Sequence, residues 1–328
     1  MSRDIFAPRE HFKPFEYKEC EEYTDAINRS FWVHTEWSKA LEKDVQEYHT
    51  ELTKEQKEVI KKCLLLISQI EVSVKTFWGN IHTHLPKPEV QMVGATFAES
   101  EVRHERAYSH LLEVMGLNNE FEKIYDIPVI IDRHNYLKKY KDFATARMEK
   151  NFVKSIVLFS LFIENVSLFS QFFIIMSFNK HRKKLKAVNN IVAATSKEEA
   201  LHGSFGTYII RQIREEHPEY FNDEFKSLIY NYCKKALDAE NKVLDWILEE
   251  GDTDFIKKEQ VEEFVKDRLN TSLSGIGLDP IFETNEEQLV KTKWFNEELL
   301  SDVHVDFFDQ RPTAYNKFDQ SFDEDSIF

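Results

Sequence analysis

Residues 152–178 read FVKSIVLFSLFIENVSLFSQFFIIMSF, an apolar run long enough to cross a bilayer as a helix. Glu164 sits near its middle, and Lys154, Asn165 and Gln171 also interrupt it. A carboxylate at the centre of a bilayer is costly, and the chain has no second run of this kind. The other place for a helix apolar on all sides is the middle of a large helical bundle. There, too, a lone buried carboxylate is unfavourable unless something neutralises it. The run is therefore read as a central bundle helix, and Glu164 as a buried charge that needs a partner.

Turn chemistry points the same way. The 328 residues contain only 8 glycines and 8 prolines, too few for the many turns of an all-β or α/β fold of this size. Long helices joined by few loops remain, around an interior supplied by 27 phenylalanines. A net charge of −15 argues against nucleic acid and against an anionic membrane surface as partners. Cys20, Cys63 and Cys233 are widely spaced and odd in number, so neither a disulfide framework nor a cysteine zinc site is indicated, and a cytoplasmic location is expected. The opening MSRDIFAPREHF lacks the apolar core of a signal peptide.

Helix signals begin at Thr53, where T-K-E-Q forms a capping box ahead of a helix that stops at Pro86. Pro88 opens a second helix and Gly116 closes it. A short helix is expected near 134–147, then the apolar helix over 149–178. Further helices are expected over 183–216, 219–249 and 258–272, with periodicity fading after Gly275. The domain reading is one helical body over 1–300, with an N-terminal arm to about residue 30, and a flexible acidic tail over 301–328. No repeat or low-complexity tract is evident.

Two histidines follow a glutamate by three residues: Glu101-Val-Arg-His104 and Glu199-Ala-Leu-His202. Either pair alone would arise readily by chance in so acidic a chain. Positions three apart share a helix face, so each pair presents a carboxylate and an imidazole to one point. Each pair is also preceded by a glutamate in an apolar helix, Glu71 before the first and Glu164 before the second. Four glutamates and two neutral imidazoles balance two divalent cations. Oxygen and nitrogen donors of this kind suit iron or manganese. The same order of ligands describes the ferritin-like carboxylate proteins. Glu198 competes with Glu199 as ligand, because both reach the face of His202; the other would be free to bond a ligand histidine. Tyr108 continues the stripe of Glu101 and His104, as an oxidisable phenol or an ordinary core residue. Lys75 lies one turn after Glu71, either buried beside the site or snorkelling to the surface.

At these residues the sequence resembles the small, radical-generating subunit of class I ribonucleotide reductase. The resemblance rests on Glu71, ESEVRHERAY, FIENVSLFSQFF and KEEALH, extended by SFW with Trp32 and DFFDQRPTAY with Tyr315, and so covers nearly the whole chain. It implies an all-α, ferritin-like extended bundle with a dinuclear metal centre in its core. Glu71, Glu101, His104, Glu164, Glu199 and His202 would be the ligands. It further implies a one-electron oxidant, made at the metals and passed to a large catalytic subunit that reduces ribonucleotides to deoxyribonucleotides. Trp32 and Tyr315 would relay it, Glu198 would bridge a ligand histidine to Trp32, and the acidic tail would dock on the large subunit. A homodimer is expected from the resemblance.

Many members have Asp at the first ligand position where this chain has Glu71, and Lys75 is unusual nearby. Both features resemble the dimanganese subgroup, in which the metals store the oxidising equivalent. Lys75 would then attract superoxide as oxidant, and Tyr108 would be a bystander. Di-iron with a Tyr108 radical, or a mixed manganese–iron pair, is the alternative, activated by oxygen with or without an activation partner. Rival functions are a ferritin-like dimetal oxidase or monooxygenase acting on a small molecule, and an iron-storage or detoxification protein.

Overall fold

The computed structural model describes residues 3–144 and 149–299, and among these no strand occurs. Two short helices come first, α1 (Glu19–Arg29) and α2 (Ser38–Thr50), where the sequence signals were too weak to place any helix before Thr53. Both are short, and most of their side chains are polar; only a thin stripe such as Cys20, Tyr23 and Ile27 faces the core. The long helices α3 (Lys54–Gly79) and α4 (Pro88–Met115) follow as a packed pair. Thr53 and Gln56 cap α3 reciprocally, at 3.3 Å and 3.1 Å. Gly116 ends α4 in the left-handed conformation that suits a residue without a Cβ.

After the short α5 (Asn118–Glu122), α6 spans Pro128–Ala144, starting a turn and a half earlier than expected because Pro128 is a favourable first helical residue. The apolar run is not one uniform α-helix. It consists of α7 (Glu149–Leu158), a π-helical stretch over Phe159–Ser167, and α8 (Phe169–Arg182). Among the described residues it is the only helix long and apolar enough to cross a membrane, and 89% of its most apolar window is buried inside the protein. Phe159, Phe162, Phe169, Phe172 and Phe178 are all in the core. Each such ring stabilises the fold by about 2–3 kcal/mol through the apolar area it removes from water.

The chain then turns into α9 (Lys186–Glu216), the longest uninterrupted α-helix among the described residues, which packs along α7, the π-helical stretch and α8. Asp44 and Glu47 of α2 anchor its start, accepting from the backbone N–H of Val188 and Leu185 at 2.8 Å each. Carboxylates are favoured at that end by the exposed amides and the helix dipole. Helices α10 (Asp223–Ile247), α11 (Lys258–Gly275) and α12 (Glu286–Val290) complete the described body, with residues 293–299 again helical. The expected tail, 301–328, and Tyr315 within it lie outside the described residues. Helices α3, α4 and α9 and the π-helical stretch enclose one central space.

Candidate metal centre

Each of those four elements delivers a carboxylate to that space. Glu71 comes from α3, Glu101 and His104 from α4, Glu164 from the π-helical stretch, and Glu199 and His202 from α9; all six are fully buried. The i, i+3 spacing on α4 and α9 turns each histidine toward the same point as its glutamate. His104 Nδ1 lies 3.0 Å from Glu199 Oε1, 3.4 Å from Glu101 Oε2 and 3.9 Å from Glu71 Oε2. His202 Nδ1 lies 3.1 Å from Glu101 Oε1, 3.3 Å from Glu199 Oε2 and 3.7 Å from Glu164 Oε2. The result is two four-residue half-sites that share Glu101 and Glu199, each half with one histidine and one private glutamate.

The outward nitrogens of the two rings are held separately. His104 Nε2 pairs with Glu198 Oε2 at 2.7 Å, and His202 Nε2 with Ser100 Oγ at 3.0 Å. These contacts orient both Nδ1 atoms inward. Glu199, not Glu198, points into the space. Glu198 instead accepts from Arg103 Nη1 at 3.1 Å and 3.2 Å and from Ser30 Oγ at 2.9 Å. Although burial opposes it, the pairing with His104 and Arg103 keeps Glu198 below the usual carboxylate range.

Inside the space the electrostatics do not close. Burial, then the neighbouring carboxylates, push Glu71 and Glu164 well above their ordinary range. Burial would lower both histidines, but the carboxylates around them drive His104 and His202 well upward. Glu199, flanked by both rings, is held low despite its burial. Both oxygens of Glu71, Glu101 and Glu199, Oε2 of Glu164, and Nδ1 of both histidines lack a geometric hydrogen-bond partner. Unpaired buried polar atoms are rare in folded proteins, and here they converge. Four carboxylates and two imidazoles with no lysine or arginine among them fit two divalent cations in charge, donor type and number.

The remaining expected residues are placed as follows. Trp32 is buried and stacks on the His104 ring, centroids 5.9 Å apart. Its expected hydrogen bond to Glu198 is not made, and the indole Nε1 has no partner. Arg103 takes that place, donating to Glu198 and to the Trp32 carbonyl at 3.4 Å, with its guanidinium 5.8 Å from the Trp32 ring. Tyr108 is fully buried next to the cluster, and its hydroxyl has no geometric hydrogen-bond partner; nearby Thr195 Oγ1 is 3.1 Å from the Ile191 carbonyl, to which it donates. Burial and the adjacent Glu71 raise the phenol strongly. Lys75 takes the snorkelling course. Its side chain, 29% exposed, pairs with Glu105 rather than with the cluster.

Three contributors escaped the sequence reading. Arg103, between the two ligands of α4, reads as an ordinary surface charge. Ser100 carries no signal of its own. Trp78 donates its indole N–H to Glu164 Oε1 at 2.9 Å, and its position two turns after Glu71 on one stripe was a usable clue.

Residues 9–288 match the family model described as ribonucleotide reductase, small chain. This chain belongs to that family. The "probable ribonucleoside-diphosphate reductase small subunit" of Invertebrate iridescent virus 3 is 24% identical over 95% of this chain and 86% of its own length. The ribonucleoside-diphosphate reductase subunit beta of Chlamydia pneumoniae is 24% identical over 92% and 88%. Among solved structures, the ribonucleotide reductase R2 subunit from Clostridium botulinum superposes with a TM-score of 0.77 at 17% identity, covering 89% of this chain and 91% of that one. The dimanganese(II) NrdF protein of Streptococcus sanguinis gives 0.75 at 15% identity, over 88% and 99%. As a ribonucleotide reductase small chain with the ferritin-like helical fold, the protein supplies the one-electron oxidant with which a large catalytic subunit converts ribonucleotides to deoxyribonucleotides. The buried carboxylate–histidine cluster is its dinuclear metal centre.

Proposed function

We propose that Glu71, Glu101, His104, Glu164, Glu199 and His202 hold a manganese pair, with di-iron or mixed manganese–iron as alternatives. When bound, the pair supplies and stores the one-electron oxidant. The carrying observation is the state of Tyr108: its hydroxyl is fully buried with no hydrogen bond to a carboxylate or imidazole that could take its proton, and burial beside Glu71 holds that proton strongly. A phenol gives up an electron readily only when its proton can leave with it. That favours storage on the metals, with Tyr108 a bystander. Glu71 at the first ligand position supports the same reading through the resemblance to the dimanganese subgroup.

The chain's own residues then have distinct tasks. Glu198 fixes the His104 ring, while Trp32, stacked on that ring, takes the hole outward. Tyr315 in the C-terminal segment relays it to the large subunit, on which the acidic tail 301–328 docks. Lys75, partly exposed beside Glu105, draws in superoxide or supports reaction with oxygen. The working unit is a cytoplasmic homodimer; an activation partner is compatible with this reading.

The deciding experiment compares wild type with Tyr108→Phe, reconstituted with manganese or iron and assayed with the large subunit. Turnover retained in the manganese-loaded variant supports storage on the metals. Turnover abolished, with a tyrosyl signal in wild type only, moves the hole to Tyr108. Removing the last ~20 residues should abolish turnover while leaving metal binding intact, because a short terminal segment that docks on a partner contributes nothing to the buried site.

A further inference from the structure

Glu164 is the one ligand carried by a π-helical turn, and that turn is held by an unusual set of bonds. A π-turn inserts one residue into the helix, which rotates the side chains that follow by on the order of 100° relative to a continuous α-helix. Left unsupported, the segment gains by reverting to α geometry, and Glu164 would swing away from His202.

Four carbonyls of the stretch accept from side chains. Asn165 Nδ2 donates to the Ser160 carbonyl at 2.7 Å, and Ser167 Oγ to the Phe162 carbonyl at 2.8 Å, both five residues back. The other two donors come from outside. Arg268 of α11 donates Nε to the Asn165 carbonyl at 2.5 Å, its guanidinium stacked 3.4 Å over the Phe169 ring. Arg133 of α6 donates Nη2 to the Ser167 carbonyl and, at 3.2 Å, to Gln171 Oε1. Arg133 is 2% exposed, and its buried counter-charge, Glu240 of α10, lies 4.0 Å away. On the opposite side, α9 has no Cβ at Gly203 and Gly206. A Cβ at either would overlap the side chain of Asn165 or of Ser160.

We propose that Arg133 and Arg268 are positioning residues that clamp the π-turn from two separate helices and so set the reach of Glu164 into its half of the metal centre. The clamp acts through backbone carbonyls, touches no ligand side chain, and is indifferent to which metal is bound. Its consequence is local: the half-site of Glu101, Glu164, Glu199 and His202 depends on it, and the half-site of Glu71, Glu101, His104 and Glu199 does not.

The test is manganese(II) titration of metal-free full-length protein followed by electron paramagnetic resonance, on Arg268→Met, Arg133→Met and the two lysine replacements. Arg268 is partly exposed, so Arg268→Met keeps the question open if Arg133→Met does not fold. The clamp predicts that the methionine variants bind one ion normally and the second at least about 10-fold more weakly. The spectrum should change from a coupled pair to an isolated six-line signal, and lysine should restore part of the loss. Hydrogen exchange of amides 160–170 should quicken in the metal-free variants. Equal weakening of both ions in step with a lower melting temperature, or no change in either, overturns the clamp. Wild type that takes up no pair of ions would fault the metal reading instead; amide exchange over 160–170 then still decides, and exchange unchanged by the variants overturns the clamp.

Discussion

Helix α4 carries two fully buried glutamates three turns apart, and they live in opposite circumstances. Glu89 accepts from the Arg9 guanidinium, from Glu16 N at 2.9 Å and from Tyr17 N at 3.2 Å. Around it Lys87 pairs with Glu16 at 2.9 Å, and nearby Glu216 takes bonds from Arg3, Ile5 N and Tyr17. Glu101 has no lysine or arginine partner and no geometric hydrogen bond to either oxygen; beside it are only the rings of His104 and His202. Both clusters are acidic and rest on α4 and α9, but only the first is balanced by the chain's own donors. Buried charge without enough compensation is strongly destabilising, and four carboxylates with only two imidazoles among them fit external cations. Burial alone does not mark a metal site; burial with unmet partners does.

The largest expected effect separates the two clusters by sign. Glu71→Gln, which removes a ligand carboxylate of one half-site, should reduce manganese affinity by at least about 100-fold, beyond the loss typical of residues behind the ligands, while leaving the metal-free fold as stable or more so, because burial already opposes the Glu71 charge. Glu89→Ala should leave metal uptake unchanged and cost about 3–5 kcal/mol in denaturant unfolding, because buried Arg9 loses its main counter-charge, keeping only Glu16 at 3.3 Å, and the Glu16 and Tyr17 amides lose their acceptor. Loss of metal in Glu89→Ala, or a large loss of metal-free stability in Glu71→Gln, would erase the distinction.

The second effect is on pH dependence. Glu71 and Glu164, ordinarily near 4.5, and His104 and His202, ordinarily near 6.5, are all raised in the fold. Their contribution to metal-free stability is fully present below those ordinary values and is lost as pH rises through the folded ones. Glu199 works in the opposite sense, its contribution present above the ordinary carboxylate value and lost on acidification. Above about pH 6.5 the raised groups dominate, so the melting temperature with chelator should fall as pH increases. Metal displaces those protons, so the stabilisation by manganese should grow over the same range. A metal-induced shift in melting temperature that is flat with pH contradicts this account.

A smaller effect is expected from Glu198→Gln, which weakens the contact that orients His104. A 10- to 100-fold loss of metal affinity is the usual size for such a change, read by titration. The smallest concerns Tyr108→Phe in the metal-free protein. Deleting a hydroxyl with no geometric hydrogen-bond partner should move stability by less than about 1 kcal/mol; a larger loss would show that the phenol is bonded, with Thr195 the nearby candidate.

Much of this was legible from residue order. The scarcity of Gly and Pro gave the all-helical class, and the capping box at Thr53, Pro88 and Gly116 placed the start of α3 and both ends of α4 within a residue or two, whereas α3 ends at Gly79, well before the expected stop at Pro86. The six residues that converge were named by two Glu-x-x-His pairs and two glutamates stranded in apolar helices, because helical periodicity makes such positions readable in one dimension. Helices α1 and α2 were not legible, since most of their side chains are polar and tertiary contact selects the few that are buried.

Other features exist only in three dimensions. Glu198 and Glu199 are equivalent by spacing, and packing against Arg103 and Ser30 sends one behind His104 and leaves the other between the two rings. Lys75 could have faced either way until Glu105 on the neighbouring helix drew it outward. The π-turn under Glu164 is only partly set by its own Asn165 and Ser167, because its other supports come from α6, α9 and α11, far away in the chain. The sequence by itself determined which donors the protein has and on which helical stripes they lie, a local property of periodicity. Which donors meet, and which are left for a metal, was decided by tertiary packing, because partnership between charges depends on distances that only the assembled helices set.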